Sequence, residues 1–186
     1  MKFISSRISV SEKQGSLSII ISPEIVPVKQ TLLFSWVVFW TIGGLIVSTQ
    51  FFYEQTQYTL LFLVIWMVFW VYFGYVGWHA FLWRKFGFEK VLIKNGKLHY
   101  KRDLKGWGKT RIYDINFIRN LDFIDNSGQS FFKNLSQSYW AIGGETLKFD
   151  YHSKTVMLAM QLKKEEALKL MKVLKYKLEG NSPNLK

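Results

Sequence analysis

The residues best suited to chemistry in this 186-residue chain form one basic run. Lys90, Lys94, Lys97, Lys101, Arg102, Lys105, Lys109 and Arg111 stand against a single acid, Asp103, within 22 positions. Cations at that density attract anionic surfaces, and near an acidic leaflet each is worth about 1 kcal/mol. A charge run on strands is also the ordinary dress of a solvated face, so both readings stand. Three histidines offer the other reactive groups. His99 and His152 show no metal-ligand spacing, and no metal site is expected. His79 sits between Trp78 and Ala80 in an apolar stretch, where an imidazole serves as a hydrogen-bonding group or, in the sharper reading, as a haem ligand.

No nucleophile and base stand at a usable spacing. The absence of cysteine removes disulfides, thiolate metal sites and cysteine nucleophiles. Gly106-Trp107-Gly108 reads as a tight turn, and Gly143-Gly144 precedes a strand and not a helix that would hold a phosphate. Glu165 and Glu166 are adjacent and diverge by about 100° on a helix. Catalysis is therefore not expected, and no cofactor is required. Nucleic acid is a poor match for the +12 charge, because no helix-turn-helix, RNP or zinc pattern accompanies it.

The elements that position these groups are of two kinds. Between residues 31 and 83 the only charge is Glu54. Residues 31–52 and 58–83 are uncharged runs, the first about 33 Å long as a helix, enough for a hydrocarbon core of about 30 Å. The polar residues 53–57 between them force a helical hairpin. Lys29, Arg84 and Lys85 flank its open end, which places both termini in the cytoplasm by the positive-inside rule. Trp78 and Trp83 are expected at the cytoplasmic interface and Tyr53 and Tyr58 at the other. Trp36, Trp40, Trp66 and Trp70 pair at i, i+4 spacing, pointing to helix packing or lipid contact. Gly43, Gly44, Ser48, Gly74 and Gly77 supply small surfaces for close helix approach, within the hairpin or against another membrane protein.

The remainder alternates with period two. Residues 1–30 read as a β-hairpin followed by an extended approach through Pro23 and Pro27. After Arg84, strands are expected at 88–93, 97–103, 110–113, 115–124, 146–151 and 155–160, with Asn95-Gly96 as the strongest turn signal. Residues 125–144 read as a long polar loop with Phe131, Phe132 and Trp140 as possible anchors. Ala167, Met171, Leu174 and Leu178 mark the apolar face of a helix over 163–178, acidic at its start and basic near its end. Gly180 is expected to stop it, and residues 181–186 to be a disordered tail.

Several short motifs share this order with a known group of proteins. They are Gly15-Ser16-Leu17-Ser18-Ile19, Trp83-Arg84-Lys85-Phe86-Gly87, Lys94-Asn95-Gly96-Lys97-Leu98, Tyr113-Asp114-Ile115 with Ile118-Arg119-Asn120-Leu121, and Leu147-Lys148-Phe149-Asp150-Tyr151, followed by Leu162, Glu165, Glu166 and Ala167. In this the chain resembles bacterial two-span membrane proteins with a pleckstrin-homology-like (PH-like) domain. Lys163 departs from the pattern, since a serine or aspartate is expected to cap the helix there.

The resemblance implies a membrane α-helical hairpin plus a mainly-β PH-like barrel or sandwich closed by one C-terminal capping helix. Residues 1–30 would join the domain at 84–179, with spans at 31–52 and 58–83, the connecting loop at 53–57 and the tail at 180–186. It implies a bacterial inner-membrane location and a non-catalytic interaction or scaffold role, as an accessory component docking on a membrane protein complex or on anionic lipid headgroups. A homo-oligomer is a further possibility. The alternative is a haem-binding accessory subunit of a respiratory or transport complex that uses His79.

Overall fold

The computed structural model describes residues 2–13, 15–53, 56–124 and 144–178. The expected loop anchors Phe131, Phe132 and Trp140, the linker acid Glu54, the stop at Gly180 and the tail at 181–186 lie outside these.

The chain opens with β1 (Lys2–Phe3), β2 (Ile8–Lys13) and β3 (Ser16–Ile21). Helix α1 (Pro27–Ser48) continues as a 3-10 turn to Phe52, and α2 (Gln57–Phe86) returns antiparallel. Then follow β4 (Gly87–Lys94), β5 (Lys97–Leu104), β6 (Thr110–Asp114), β7 (Ile118–Phe123), β8 (Glu145–Tyr151), β9 (Lys154–Met160) and α3 (Lys164–Leu178). Among the described residues every strand pairing is antiparallel, in a six-stranded sheet ordered β1-β2-β3-β4-β5-β6 and a three-stranded sheet β7-β8-β9.

Several expectations need correction. The two sheets do not close into a barrel, because β6 and β9 end their sheets without pairing to each other. The run at 115–124 is broken by a 3-10 turn at Ile115–Phe117, where the Asp114 side chain accepts the Asn116 N–H. Pro27 belongs to the first turn of α1 and not to an extended approach, since its missing N–H costs nothing there. Trp83 is buried and lies against Gly87, so it is a packing residue and not an interface residue.

The hairpin is held by its tryptophans. Trp40 and Trp70 stack across the helix pair with centroids 4.0 Å apart. Each indole N–H donates to the other residue's carbonyl oxygen at 3.0 Å. An indole N–H left unpaired in an apolar medium is costly, so this reciprocal clasp satisfies both donors where no water is at hand. Trp36 and Trp66 extend the stack on either side. The glycines make room for these rings: Gly43 and Gly44 face Trp70, Gly74 faces Trp40, and Gly77 faces Trp36 and Val37. Ser48 differs, because its hydroxyl donates back to Leu45 of its own helix.

The β-domain begins without a linker. Gly87 is both the end of α2 and the first residue of β4. Alternate residues of β4 point inward, and so do those of β3 and β5, giving a core of Leu17, Ile19, Val91, Ile93, Leu98 and Tyr100. Leu147, Phe149 and Leu158 face it from the second sheet. Helix α3 covers one end with Ala167, Leu170, Val173 and Leu174, a face shifted from the expected one by the inclusion of Leu170 and Val173. It starts one residue late, at Lys164, and the Lys163 N–H donates to Glu166, half of a capping box. Asn95 and Gly96 both take positive φ in the β4–β5 turn, which a tight hairpin of matching twist requires.

One acid sits in the inward row. Glu89 is 2% exposed, and its carboxylate accepts the Tyr100 hydroxyl at 2.9 Å and the N–H groups of Ala159 and Met160 at 2.9 and 2.8 Å. It thereby ties β4 to the end of β9, where Ala159 holds a φ of 63° that non-glycine residues rarely adopt.

Two measurements test this frame. Gly44→Val should push the Trp70 ring aside and cost about 1–3 kcal/mol, seen as a lower unfolding midpoint in detergent. Glu89→Gln turns an amide N–H₂ toward one of three donors and should cost about 1–3 kcal/mol, lowering the midpoint by several degrees.

Candidate functional site

The β4–β5 hairpin divides the basic run among three places. Lys90, Lys94, Lys97 and Lys101 lie on the outer face of the first sheet, the side opposite Val91 and Tyr100. Lys105 and Lys109 lie in and just after the turn that follows β5. Arg102 and Arg111 fall in the inward-facing row, Arg111 opposite the buried Tyr100.

The pairing Gly87↔Leu104 brings the end of β5 back to the point where α2 ends. Lys105 Nζ stands 3.8 Å from the centroid of the Phe86 ring, and Trp107 in the same turn is 82% exposed. The hairpin's far end carries Lys94 and Lys97. Seven residue steps of strand separate it from Gly87, about 23 Å at 3.3 Å per step. That exceeds two Debye lengths at physiological ionic strength, about 8 Å each. A charged surface at the end of α2 would therefore act on Lys105 and hardly at all on Lys94 or Lys97.

Asp103 organises the helix-proximal end. Its side chain is 3% exposed and bridges Lys90 at 2.7 Å and Lys101 at 3.5 Å. It also accepts the Gly106 N–H at 2.8 Å, closing the turn that Leu104 and Trp107 pair across. The Lys90 hydrogen bond leads the forces holding the Asp103 carboxyl below its usual pKa, with Gly106 adding to it. Lys90 and Lys101 are thus partly neutralised by this acid. The side chains of Lys94, Lys97, Lys109 and Arg111 make no hydrogen bond or ion pair among the described residues.

The joint between hairpin and domain is polar and buried, and the basic run gave no sign of it. Arg84, 3% exposed, donates to Gln161 Oε1 at 3.0 Å. Arg7 reaches the Gln161 and Met160 carbonyl oxygens at 2.7 and 3.3 Å, and Glu166 at 3.7 Å. Gln30 of α1 donates to the Phe81 carbonyl oxygen. Burial draws the Arg7 pKa down, opposed by the charge of Glu166. Burial and then the Glu89 charge push the Tyr100 hydroxyl up, keeping it a donor. Glu89 alternates with Val91 and Ile93, a pattern that signals an inward acid; its backbone partners Ala159 and Met160, 70 and 71 residues on, leave no such signal.

His79 points outward from α2 and stacks on Tyr75, its centroid 5.8 Å away. Among the described residues no three His, Cys, Asp or Glu side chains gather as a metal site would need.

Asp103 supplies a pH test with a definite sign. A lowered folded pKa gives stability above the ordinary aspartate value of about 3.9 and loses it as pH falls through the folded value. Unfolding midpoints should therefore drop as pH falls below about 4, and Asp103→Asn should flatten that drop, starting from a lower midpoint at pH 7.

Compared with protein-family models, with curated proteins and with solved structures, the chain matches none.

Proposed function

We propose that this protein is a two-span inner-membrane protein of bacterial type whose PH-like β-domain is a non-catalytic scaffold held rigidly at the cytoplasmic surface, in contact with anionic lipid headgroups. The observation that carries the lipid contact is the turn beside Phe86, where Lys105, the exposed Trp107 and Lys109 occur together. An indole beside cations is the side-chain set of a water–bilayer interface. It stands where α2, about 45 Å long at 1.5 Å per residue, would leave a hydrocarbon core of about 30 Å.

Two further features support the membrane reading. The helices have mean hydropathies of 1.8 and 2.1, yet only 17% and 6% of their most apolar windows are buried. Phe39, Val68 and Phe69 are among the large side chains left facing outward, whereas the core helix of a soluble protein would hide them. The cations Lys29, Arg84 and Lys85 all flank the domain end, which favours a cytoplasmic domain.

Rigidity supports the scaffold role. The absence of a linker at Gly87, the Arg84–Gln161 contact and the pairing of β3 with β4 fix the domain to both helices. Strands β1–β3 belong to the same sheet as β4–β6, so the domain is completed from both sides of the hairpin.

The full-length protein in nanodiscs tests the lipid contact. Backbone hydrogen exchange at residues 104–109 should be slower in phosphatidylglycerol than in phosphatidylcholine. The double variant Lys105→Gln, Lys109→Gln should erase the difference, and Lys94→Gln with Lys97→Gln should preserve it. Equal exchange in both lipids would refute the contact.

A further inference from the structure

Several polar side chains of the two long helices find partners inside the hairpin. The Thr41 hydroxyl donates to the Val37 carbonyl oxygen and accepts the Trp78 indole N–H at 3.0 Å, while Trp40 and Trp70 hold each other. Tyr72, Tyr75 and His79 do not follow this rule. All three are exposed on the outside of α2, and none makes a hydrogen bond among the described residues. Tyr75 and His79 stack on each other, a ring contact that satisfies neither polar group.

Depth makes this costly. Counted back from Phe86 at 1.5 Å per residue, Tyr72 and Tyr75 lie about 21 and 17 Å along α2. The middle of a hydrocarbon core of about 30 Å lies about 15 Å from either face. Side chains on a helix lean toward its N-terminus, which for α2 is the end away from the β-domain. Neither hydroxyl can therefore snorkel to the surface beside that domain, and hydrocarbon accepts no hydrogen bond.

The three residues also share one line. At 100° per residue they fall within an arc of about 60°. Continued toward the start of α2, the line takes in Val68, Ile65 and Leu61, each more than half exposed. From Leu61 to His79 the steps alternate between four and three residues. That is the 3.5-residue seam along which two helices coil left-handedly, about 27 Å long and so close to the thickness of the core. Helix α1 does not cover it, because Gly74, Gly77 and Ala80, on the opposite side of α2, are the residues that meet α1.

We propose that this seam pairs with the same seam of a second copy, making the protein a dimer through parallel α2 helices. Two observations select a second copy as the occupant. Every copy inserts with the orientation that Lys29, Arg84 and Lys85 favour, so two seams meet with each residue at the depth of its twin. A tyrosine hydroxyl both donates and accepts, and a neutral imidazole does so through its two nitrogens, so the row Tyr72, Tyr75 and His79 is complementary to itself. A lipid chain offers none of these bonds. The inference rests on the membrane-spanning reading above and is independent of the lipid contact at Lys105 and Trp107.

The chain has no cysteine, so single cysteines report neighbours without background. In membranes carrying the full-length protein and oxidised with copper phenanthroline, Leu61→Cys, Ile65→Cys and Val68→Cys should each give disulfide-linked dimers. Phe62→Cys and Phe73→Cys, also outward-facing but turned about 100° or more from the seam, should not. Tyr72→Phe combined with Tyr75→Phe keeps both rings and removes both hydroxyls. By sedimentation in detergent it should raise the dimer dissociation constant about tenfold. Cross-linking that ignores the seam, a seam that cross-links to a different protein, or a constant unchanged by the loss of both hydroxyls would overturn the proposal. Release of the chain from membranes by alkaline carbonate would instead overturn the membrane-spanning reading, and this proposal with it.

Discussion

A carboxylate inside a β-domain must have its charge met by donors, and Glu89 meets that condition only if β4 and β9 come together. Its three bonds, to Tyr100, Ala159 and Met160, connect the strand that grows out of α2 to the last strand of the second sheet. Breaking one leaves a buried group unsatisfied, at about 1–3 kcal/mol. The left-handed turn at Ala159 is thereby held in place. The next residues, Met160 and Gln161, offer their carbonyl oxygens to Arg7, and the Gln161 side chain receives Arg84. One buried acid thus sets the geometry of the joint through which the helical hairpin and the β-domain hold each other.

The consequence is felt at the opposite corner. With the end of β9 drawn to β4, its beginning does not meet β6, and the sheets stay open there. Inward positions that a closed barrel would reserve for apolar residues carry Arg111 and Lys154 instead. The open corner and the inward cations suit each other, because a closed core would have no means of solvating them.

The hairpin follows a different rule. Its outer surface is largely apolar and meets hydrocarbon without cost, so the pairing of its two helices rests on close packing and on internal satisfaction of polar atoms. The reciprocal Trp40–Trp70 bonds meet both needs at once, and the glycines opposite them set how near the helices approach. Rings that large fit between helices only where the facing residue has no side chain. This is why the small residues and the tryptophans recur together along both helices.

The amino-acid sequence by itself determined the elements, since these follow from local pattern. Uncharged runs marked both helices, because the cost of a charge in hydrocarbon is paid residue by residue. Period-two alternation marked most strands, and Asn95-Gly96 marked its turn. The tertiary structure decided what those elements do to one another. It split the basic run, placing Lys105 beside Phe86 and Lys94 about 23 Å away along the strand. It left the sheets unclosed and buried Trp83, Arg84 and Glu89. Lys105 meets Phe86 across the chain reversal of β4 and β5, and Arg84 and Glu89 meet partners 77 and 70 positions on. These contacts are set by strand register and chain return, which no local window encodes.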